Sequence, residues 1–380
     1  MIGDWVRGDT PQAWDHLKGL RIGVLGYGNQ GRAQALNLRD SGRDHQFTVL
    51  VGARPGGEGA RVAGDDGFEV ISMQACVQRC RILISLLPDE HQAEILSRQV
   101  FAPPDRREAP AAGDAGSQDR TAQILNPPLL CLAHGFSLLY GGLEPPPDWD
   151  VVLVAPTGPG SRLREAFIEG RGLPGIVAVH QDAGGSAEER ALALAQGLGL
   201  LRQGVYITTV ENETVVDLFG EQAVLCGGMM ALAQAAYDTL VKAGYPGELA
   251  YIECMQQVGV TADLLTRFGP EGMREKISPT ALFGELTRGP RIINDQVRER
   301  LAEILNEAAS GRFGKEWMED VAHGNPRLDD LLKQARHHPS NAMYQKLARW
   351  RGDFKNECMS DDLRTGEGQH VPPEAPEKRC

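Results

Sequence analysis

Unbroken apolar runs punctuate the first half of the chain. RIGVLGYG (21–28), FTVLVGAR (47–54), RILISLLPD (81–89), LLCLAHGF (129–136), DVVLVAPTGPG (150–160) and GIVAVHQD (175–182) each read as a strand followed by a glycine-rich or polar loop. Continuous apolar character, rather than alternation, predicts central parallel strands covered on both faces. Between the runs, QGRAQALNLRDSG carries Ala33, Ala35 and Leu36 on one side of a predicted helix, and VISMQACVQRC (70–80) reads as another. After about Gly204 the pattern changes to long stretches rich in alanine and leucine with few β-formers: 222–244, 248–269 and 291–320. LLKQARHHPSNAMYQKLARWRGDF (331–354) adds one last helix, with the His337–His338 pair facing solvent. The expected fold class is an α/β Rossmann-type parallel sheet domain followed by an all-helical domain. The boundaries drawn from these shifts are 1–205 for the α/β domain, 206–352 for the helical domain, and 353–380 for a flexible tail. Residues 102–128, rich in Pro, Ala, Gly and charge, read as a surface insertion.

The loop after the first long strand carries the most specific local chemistry. Gly26-Tyr27-Gly28-Asn29-Gln30-Gly31 follows a strand and opens a helix. In that context the first glycine permits the turn, the second lets a phosphate approach the backbone, and the third lets helix and strand pack closely. Free N–H groups at the helix start suit a pyrophosphate. Leu87, Pro88, His134 and Gly135, at the ends of neighbouring strands, complete the candidate cofactor site. The second strand ends in Arg54, where an NAD site commonly has an acid. A guanidinium there fits a 2′-phosphate and favours NADPH, with NADH the alternative. Arg61 is a second candidate for that contact, and Glu58 in the same loop works against it. Asp89 and Glu90 read as residues starting a helix, and His180 as a strand-end residue.

The formal charge of −12 disfavours a nucleic-acid surface. The start of the chain shows no apolar leader, and no uninterrupted apolar segment reaches membrane-spanning length, so the expected setting is cytoplasmic with no membrane partner. Seven dispersed cysteines, with no C-x-x-C pair, read as buried free thiols.

Acids at helical spacing mark the second half. Asp217 and Glu221 fall one turn apart in VVDLFGEQAVLCGG, with Glu213 a turn earlier, and Glu253 precedes Asp263 in a later helix. Carboxylates sharing a helix face suit Mg²⁺, a hard ion that takes oxygen donors. A solvated acidic face has the same spacing.

Taken together, GYGNQGRAQALNLRDSG, LLPDEHQAEI, AHGF, VAPTGPG, AVHQD, VDLFGEQAVLCGG, ECMQQ, GMREKISPTA and TRGPRI closely resemble the ketol-acid reductoisomerase family, over roughly residues 15–350. The resemblance implies an enzyme of branched-chain amino-acid synthesis that uses NADPH and Mg²⁺. It implies the short form of the family, an intertwined homodimer or higher homo-oligomer with shared active sites, acting on a small carboxylic acid. It makes Asp217 the carboxylate bridging two ions, Glu221 a further ligand of the first, and Glu253, from the partner chain, a ligand of the second. Ser278 is then the substrate-contacting serine and His134 the active-site histidine. Two departures stand out. Thr157 occupies the place of the family's lysine in APKGPG, and Gln257 that of the second acid in E-C-x-x-E. Gln256 and Leu282 are further changes at altered family positions. The expectation is an NADPH- and Mg²⁺-dependent oxidoreductase that reduces a small 2-oxo acid, its isomerase step altered or lost. An authentic ketol-acid reductoisomerase and a non-catalytic nucleotide-binding homologue are the alternatives.

Overall fold

The structure is a computed structural model that describes residues 2–102 and 127–351. The expected tail and all but the ends of the expected insertion lie outside the described residues. The chain divides into two compact units. One comprises Met1–Met229 and Arg288–Arg327; the other comprises Met230–Thr287 and the described residues from Leu328 onward.

The first unit is built on a nine-stranded sheet. Its elements run β1 (Trp5–Val6), β2 (Arg21–Leu25), α1 (Asn29–His45), β3 (Thr48–Gly52), α2 (Glu58–Asp65), β4 (Glu69–Ile71), α3 (Met73–Arg79), β5 (Ile82–Ser85) and α4 (Asp89–Gln99). They continue with β6 (Leu129–Leu132), α5 (Phe136–Leu139), β7 (Asp150–Pro156), α6 (Gly160–Ile168), β8 (Gly175–Gln181), α7 (Ala187–Gly197), β9 (Val205–Thr208) and α8 (Val210–Gly220). Strand order is β1-β9-β8-β7-β6-β5-β2-β3-β4. The chain leaves β2 toward β3 and β4, then returns to lay β5, β6 and β7 on the other side. This reversal creates a switch point between β2 and β5, where open parallel sheets bind ligands.

Burial explains the apolar runs. Ile22, Ile82, Ile84, Leu129 and Cys131 join one core cluster, while Leu25, Leu83, Leu130 and Leu132 join another. Successive residues of a strand point to opposite faces, so two-sided burial favours apolar residues at consecutive positions. Two corrections to the expected strand pattern follow. Residues 70–80 are not all helix: Glu69–Ile71 pairs with β3, and the Ser72 hydroxyl caps α3 by accepting from Ala75 N. GIVAVHQD forms β8, which runs antiparallel to β7, with Gly175 beside Pro156 and Gln181 beside Val151. His180 therefore lies toward the opposite end of the strands from the glycine turn. A buried ion pair braces this edge: Asp150 Oδ2 accepts from Arg190 Nη1 at 2.6 Å, and Asp150 Oδ1 accepts from Ala183 N and Gly184 N at 2.9 Å each.

The rest of the described chain is helical: α9 (Gly227–Lys242), α10 (Gly247–Tyr251), α11 (Gln257–Arg274), α12 (Pro279–Ile292), α13 (Asp295–Ala309), α14 (Arg312–Ala322), α15 (Pro326–Arg336) and α16 (Pro339–Arg351). Residues 291–320 do not make one helix, because Gly311 takes φ +75° and breaks the run. The expected single helix over 331–354 is, through residue 351, two helices divided before Pro339, whose ring disfavours helical geometry at the preceding residue. His338 is not solvent-facing: its Nδ1 lies 2.7 Å from Ser340 Oγ and its Nε2 3.4 Å from Asp238 Oδ1. Among the described cysteines, Cys76, Cys80 and Cys131 are buried free thiols, whereas Cys226 is exposed.

One helical run, Val210–Lys242, is long and apolar enough to cross a membrane by length and composition alone. That differs from the expectation drawn from uninterrupted apolar segments, because acids are scattered through the run. Its exposed Val216, Val224, Leu225 and Met229 show that most of this apolar surface is unburied in the single chain.

Candidate active site at the carboxyl edge of the sheet

The loops after β2, β5, β6 and β7 all leave the same edge of the sheet. In the glycine turn each residue has a distinct environment. Gly26 has φ +91°, and a Cβ there would lie 2.8 Å from Leu86 O. A Cβ at Gly31 would lie 2.2 Å from Gly26 O, so α1 packs on the turn only without a side chain. At Gly28, the N-cap of α1, an added Cβ meets nothing within 4 Å, leaving that backbone face open. Tyr27 points back into the fold, its hydroxyl donating to Asp66 Oδ2 at 2.9 Å. Gln30 Nε2 donates to Gly158 O at 2.8 Å, and a Cβ at Gly160 would lie 2.2 Å from Asn29 O. The turn after β2 and the loop after β7 are thus locked together.

Arg54 is exposed at the end of β3 and has no carboxylate partner among the described residues. Arg61 is engaged by Glu58 at one end and by Asp65 Oδ2, 2.8 Å away, at the other. Glu58 therefore engages Arg61, not Arg54.

An acidic cluster surrounds His134, two residues beyond β6. Asp89, at the first position of α4, places Oδ2 3.1 Å from His134 Nδ1. Asp217 Oδ2 lies 3.4 Å from His134 Nε2, which is buried and has no hydrogen-bond partner. Glu213, 4% exposed, sits one turn before Asp217 and accepts from the Thr214 hydroxyl at 3.2 Å and from the Gly135 N–H. A Cβ at Gly135 would collide with Thr214 Oγ1 at 2.0 Å, so this glycine is what lets α8 approach the loop after β6. Asp89 and Glu213 are the acids that sequence reasoning left outside the site. The local signal for Glu213 was its i,i+4 spacing to Asp217; for Asp89 there was none beyond its place before a helix.

Electrostatics follow from crowding. Burial alone would pull the His134 ring below its ordinary value; the Asp89 hydrogen bond and the charges of Asp89, Glu213 and Asp217 override it and leave the ring at about 9. Burial pushes Glu213 up to about 7 against the opposing pull of His134. Asp217 is raised by burial, with Asp89 adding repulsion, and Glu221 is raised by burial and then by Asp217. Three carboxylates with raised proton affinity mark a site short of positive charge.

Beyond Gly220 the helix widens. Glu221–Leu225 forms a π-turn, with Cys226 N donating to Glu221 O at 2.8 Å. Added Cβ atoms at Gly227 and Gly228 would lie 2.1 Å from Gln222 O and 1.9 Å from Ala223 O, so the paired glycines permit the turn. A second π-turn, Ile252–Gln256, carries Glu253. Such turns recur at functional sites.

Glu253 and Ser278 belong to the second unit. Glu253 Oε2 accepts from Gln257 Nε2 at 2.7 Å, and Ser278 Oγ accepts from Ala281 N at 3.2 Å at the start of α12. Gln256 Oε1 accepts from Arg351 Nη1 at 3.0 Å. Leu282 is half-buried, and Asp263 is exposed and paired with Arg267. In the first unit the Thr157 hydroxyl donates to Pro174 O at 3.0 Å. Among the described residues, no group of three or more His, Cys, Asp or Glu is placed to hold a metal ion.

Comparison with known proteins decides the family. The model of the acetohydroxy acid isomeroreductase NADPH-binding domain matches residues 16–106 and 118–204, and that of the ketol-acid reductoisomerase C-terminal domain matches residues 210–352. The chain belongs to the ketol-acid reductoisomerase family. It is thereby an NAD(P)H-dependent oxidoreductase of the reductoisomerase type. A ketol-acid reductoisomerase (NADP(+)) of Pyrobaculum calidifontis is 43% identical over 335 residues, covering 88% of this chain and 95% of the relative. One of Pyrobaculum aerophilum is 39% identical over 339 residues, covering 89% and 96%. The solved structure of an NADH-preferring ketol-acid reductoisomerase from an uncultured archean matches with a TM-score of 0.80 at 33% identity, covering 91% of this chain and 98% of that one. A semialdehyde dehydrogenase NAD-binding protein from Cupriavidus necator, at 17% identity and a TM-score of 0.50, shares the fold alone.

Proposed function

We propose that this chain carries out the family reaction: NADPH-dependent conversion of a small 2-hydroxy-2-acyl acid into a dihydroxy acid, as in branched-chain amino-acid synthesis. The observation that carries it is the cluster of Asp89, His134, Glu213, Asp217 and Glu221 at the same sheet edge as the glycine turn. Identity of 43% across nearly the whole of a relative with that activity supports it.

In this reading the glycine turn seats the pyrophosphate on the open face of Gly28, and Arg54 receives a 2′-phosphate. Asp217 and Glu221 fit Mg²⁺, which is commonly held by one or two carboxylates. Binding a cation would offset the burial that chiefly raises both groups, and the carboxylate repulsion that adds to it. Bound there, the ion supplies Lewis-acid charge to the substrate's oxygens. His134, poised beside Asp217, holds or gives a proton at Nε2. Glu253 and Ser278 would complete the pocket in an assembly of two chains, the short-form dimer of the family. The exposed apolar side chains of Val216, Val224 and Leu225 supply surface for that assembly.

One observation favours a second reading, in which alkyl migration is altered or lost and reduction persists. The Thr157 hydroxyl donates to a backbone carbonyl, and the Gln257 amide donates to Glu253. Neither replaces the charge that family members place at that position. Migration requires a deprotonated alcohol and a polarised ketone at once; hydride transfer requires only a placed carbonyl and one source of positive charge.

Two substrates separate the readings. The protein is supplied with Mg²⁺, NADPH and either 2-acetolactate or the rearranged 3-hydroxy-2-oxo acid, and NADPH consumption is followed. Turnover of both at about 1–100 per second is the family reaction. Turnover of the rearranged acid alone supports the second reading. In that case Thr157→Lys combined with Gln257→Glu should recover 2-acetolactate turnover. Failure with both acids overturns both readings.

A further inference from the structure

Two motifs distant in sequence are joined twice in the same register. Asp89 and Gln92 stand one helical turn apart on α4; His134 and Ser137 stand at the same interval after β6. Asp89 Oδ2 meets His134 Nδ1 at 3.1 Å, and the Ser137 hydroxyl donates to Gln92 Oε1 at 2.6 Å. The second pair is sealed: Ser137 is 0% and Gln92 2% exposed, and Gln92 Nε2 turns back to Leu87 O at 3.4 Å. The first pair opens onto the acidic cluster. The far nitrogen of the same ring, Nε2, faces Asp217 with no hydrogen-bond partner. A single ring is therefore gripped from one side and presented from the other.

Gripping by a carboxylate does something that packing alone cannot. A carboxylate accepts and never donates, so it fixes a proton on Nδ1 and sets both the ring's orientation and the character of Nε2. An amide at the same place has both an acceptor and a donor face. It can turn its NH₂ to the ring and allow the other tautomer.

We propose that Asp89 is a positioning residue, which holds the His134 ring through its Nδ1–H and aims Nε2 at the substrate bound beside Asp217. This rests on the functional reading above for the place of the substrate, but not for the hydrogen bond. The Gln92–Ser137 pair is its internal control, because it anchors the same loop to the same helix without touching the imidazole.

The test compares Asp89→Asn, Asp89→Glu and Ser137→Ala in the full chain. Protein labelled with ¹⁵N-histidine is recorded at one fixed pH above the ring's value of about 9, where the imidazole is neutral and its two tautomers differ, with His134→Gln assigning the signals. In the parent and in Ser137→Ala, the His134 Nδ1 signal should be that of a protonated, hydrogen-bonded nitrogen; in Asp89→Asn it should be lost or averaged with Nε2. In the reduction of the 3-hydroxy-2-oxo acid, Asp89→Asn should lower kcat about 10- to 100-fold, by analogy with the loss of a partner that orients a metal-bound imidazole. Its KM for NADPH should stay within about twofold. Asp89→Glu should recover part of kcat. Ser137→Ala should lower the unfolding temperature more than Asp89→Asn does, yet change kcat less. If Asp89→Asn keeps both the Nδ1–H signal and kcat, or if kcat in all variants simply tracks loss of stability, Asp89 only starts a helix and the proposal falls. If the parent protein reduces neither acid, the functional reading fails while the ¹⁵N signals still decide the role of Asp89.

Discussion

Two glycine substitutions test whether the turn after β2 is a cofactor cradle or merely a tight corner. At Gly160 an added Cβ lies 2.2 Å from Asn29 O and 2.6 Å from Asn29 C, both backbone atoms. Ordinary contact begins near 3.4 Å. Gly160→Ala must therefore push α6 and the glycine turn apart by about 1 Å. Overpacking of this kind costs about 1–3 kcal/mol. The Gln30 bond to Gly158 O, weakened by the same shift, adds about 0.5–1.5 kcal/mol. The combined loss of about 1.5–4.5 kcal/mol corresponds to a fall of roughly 3–18 °C in unfolding temperature for a unit of this size. Gly28→Ala is the contrasting change. Gly28 has φ −83° and open space around the added Cβ, so stability should change by less than about 0.5 kcal/mol. That open space is where a pyrophosphate would approach, and NADPH affinity should drop about tenfold or more. Thermal unfolding and fluorescence titration with NADPH measure the two effects. A Gly28→Ala variant that binds NADPH as the parent does would refute the cradle. A Gly160→Ala variant with the parent's unfolding temperature would refute the packing argument.

Asp150→Ala leaves Arg190 charged, buried and without its carboxylate, and frees the Ala183 and Gly184 N–H groups; it should cost about 3–5 kcal/mol, more than Arg190→Met, by denaturant titration. Asp66 is held below the ordinary carboxylate range chiefly by its hydrogen bonds from Arg32, and it also receives the Tyr27 hydroxyl. A depressed folded-state value means its stabilisation is complete above the unfolded carboxylate value of about 4 and is lost as pH falls through the lower folded value. Asp66→Asn should thus cost about 1 kcal/mol at neutral pH, Arg32 being half-exposed and screened, and the gap to the parent should close in acid titrations. Arg54→Ala should raise KM for NADPH several-fold more than KM for NADH, whereas Arg61→Ala should change the ratio little because its guanidinium already serves Glu58 and Asp65. Equal effects of the two substitutions would remove Arg54 from the 2′-phosphate.

Much of the fold was legible because it depends on burial, which a sequence displays directly. Strands covered on both faces read as apolar runs, and β2, β3, β5, β6 and β7 do, with polar residues such as Arg21, Thr48, Ser85 and Asp150 confined to their ends. Direction is not encoded that way. β8 is as apolar as its neighbours, and nothing in Gly175–Gln181 reports that it runs backward. The acidic cluster shows the same limit. The α8 acids share a face because helix geometry is local, so Asp217 and Glu221 could be paired from spacing. His134 and Asp89 meet only because β5 and β6 are adjacent in the sheet, 45 residues apart in sequence. The π-turn at Glu221–Leu225 adds a residue to one turn of helix. Residues beyond it present a different face from the one a 3.6-residue period would give. Only the paired glycines, Gly227 and Gly228, hinted at that widening.

The two departures from the family pattern are linked by charge. Thr157 removes one positive group and Gln257 removes one negative group, so the total carried by these two positions is unchanged. Either reversion alone would upset that sum. Lysine at 157 without an acid at 257 adds an uncompensated positive charge. An acid at 257 without the lysine places a second carboxylate one turn from Glu253, replacing a 2.7 Å hydrogen bond with repulsion. This is why the recovery experiment requires both changes together. The first-unit cluster is anchored by backbone contacts at Gly135 and by α4, neither of which depends on residue 157 or 257. On the second reading proposed above, reduction relies on that anchored half, whereas migration also calls on the charges at 157 and 257.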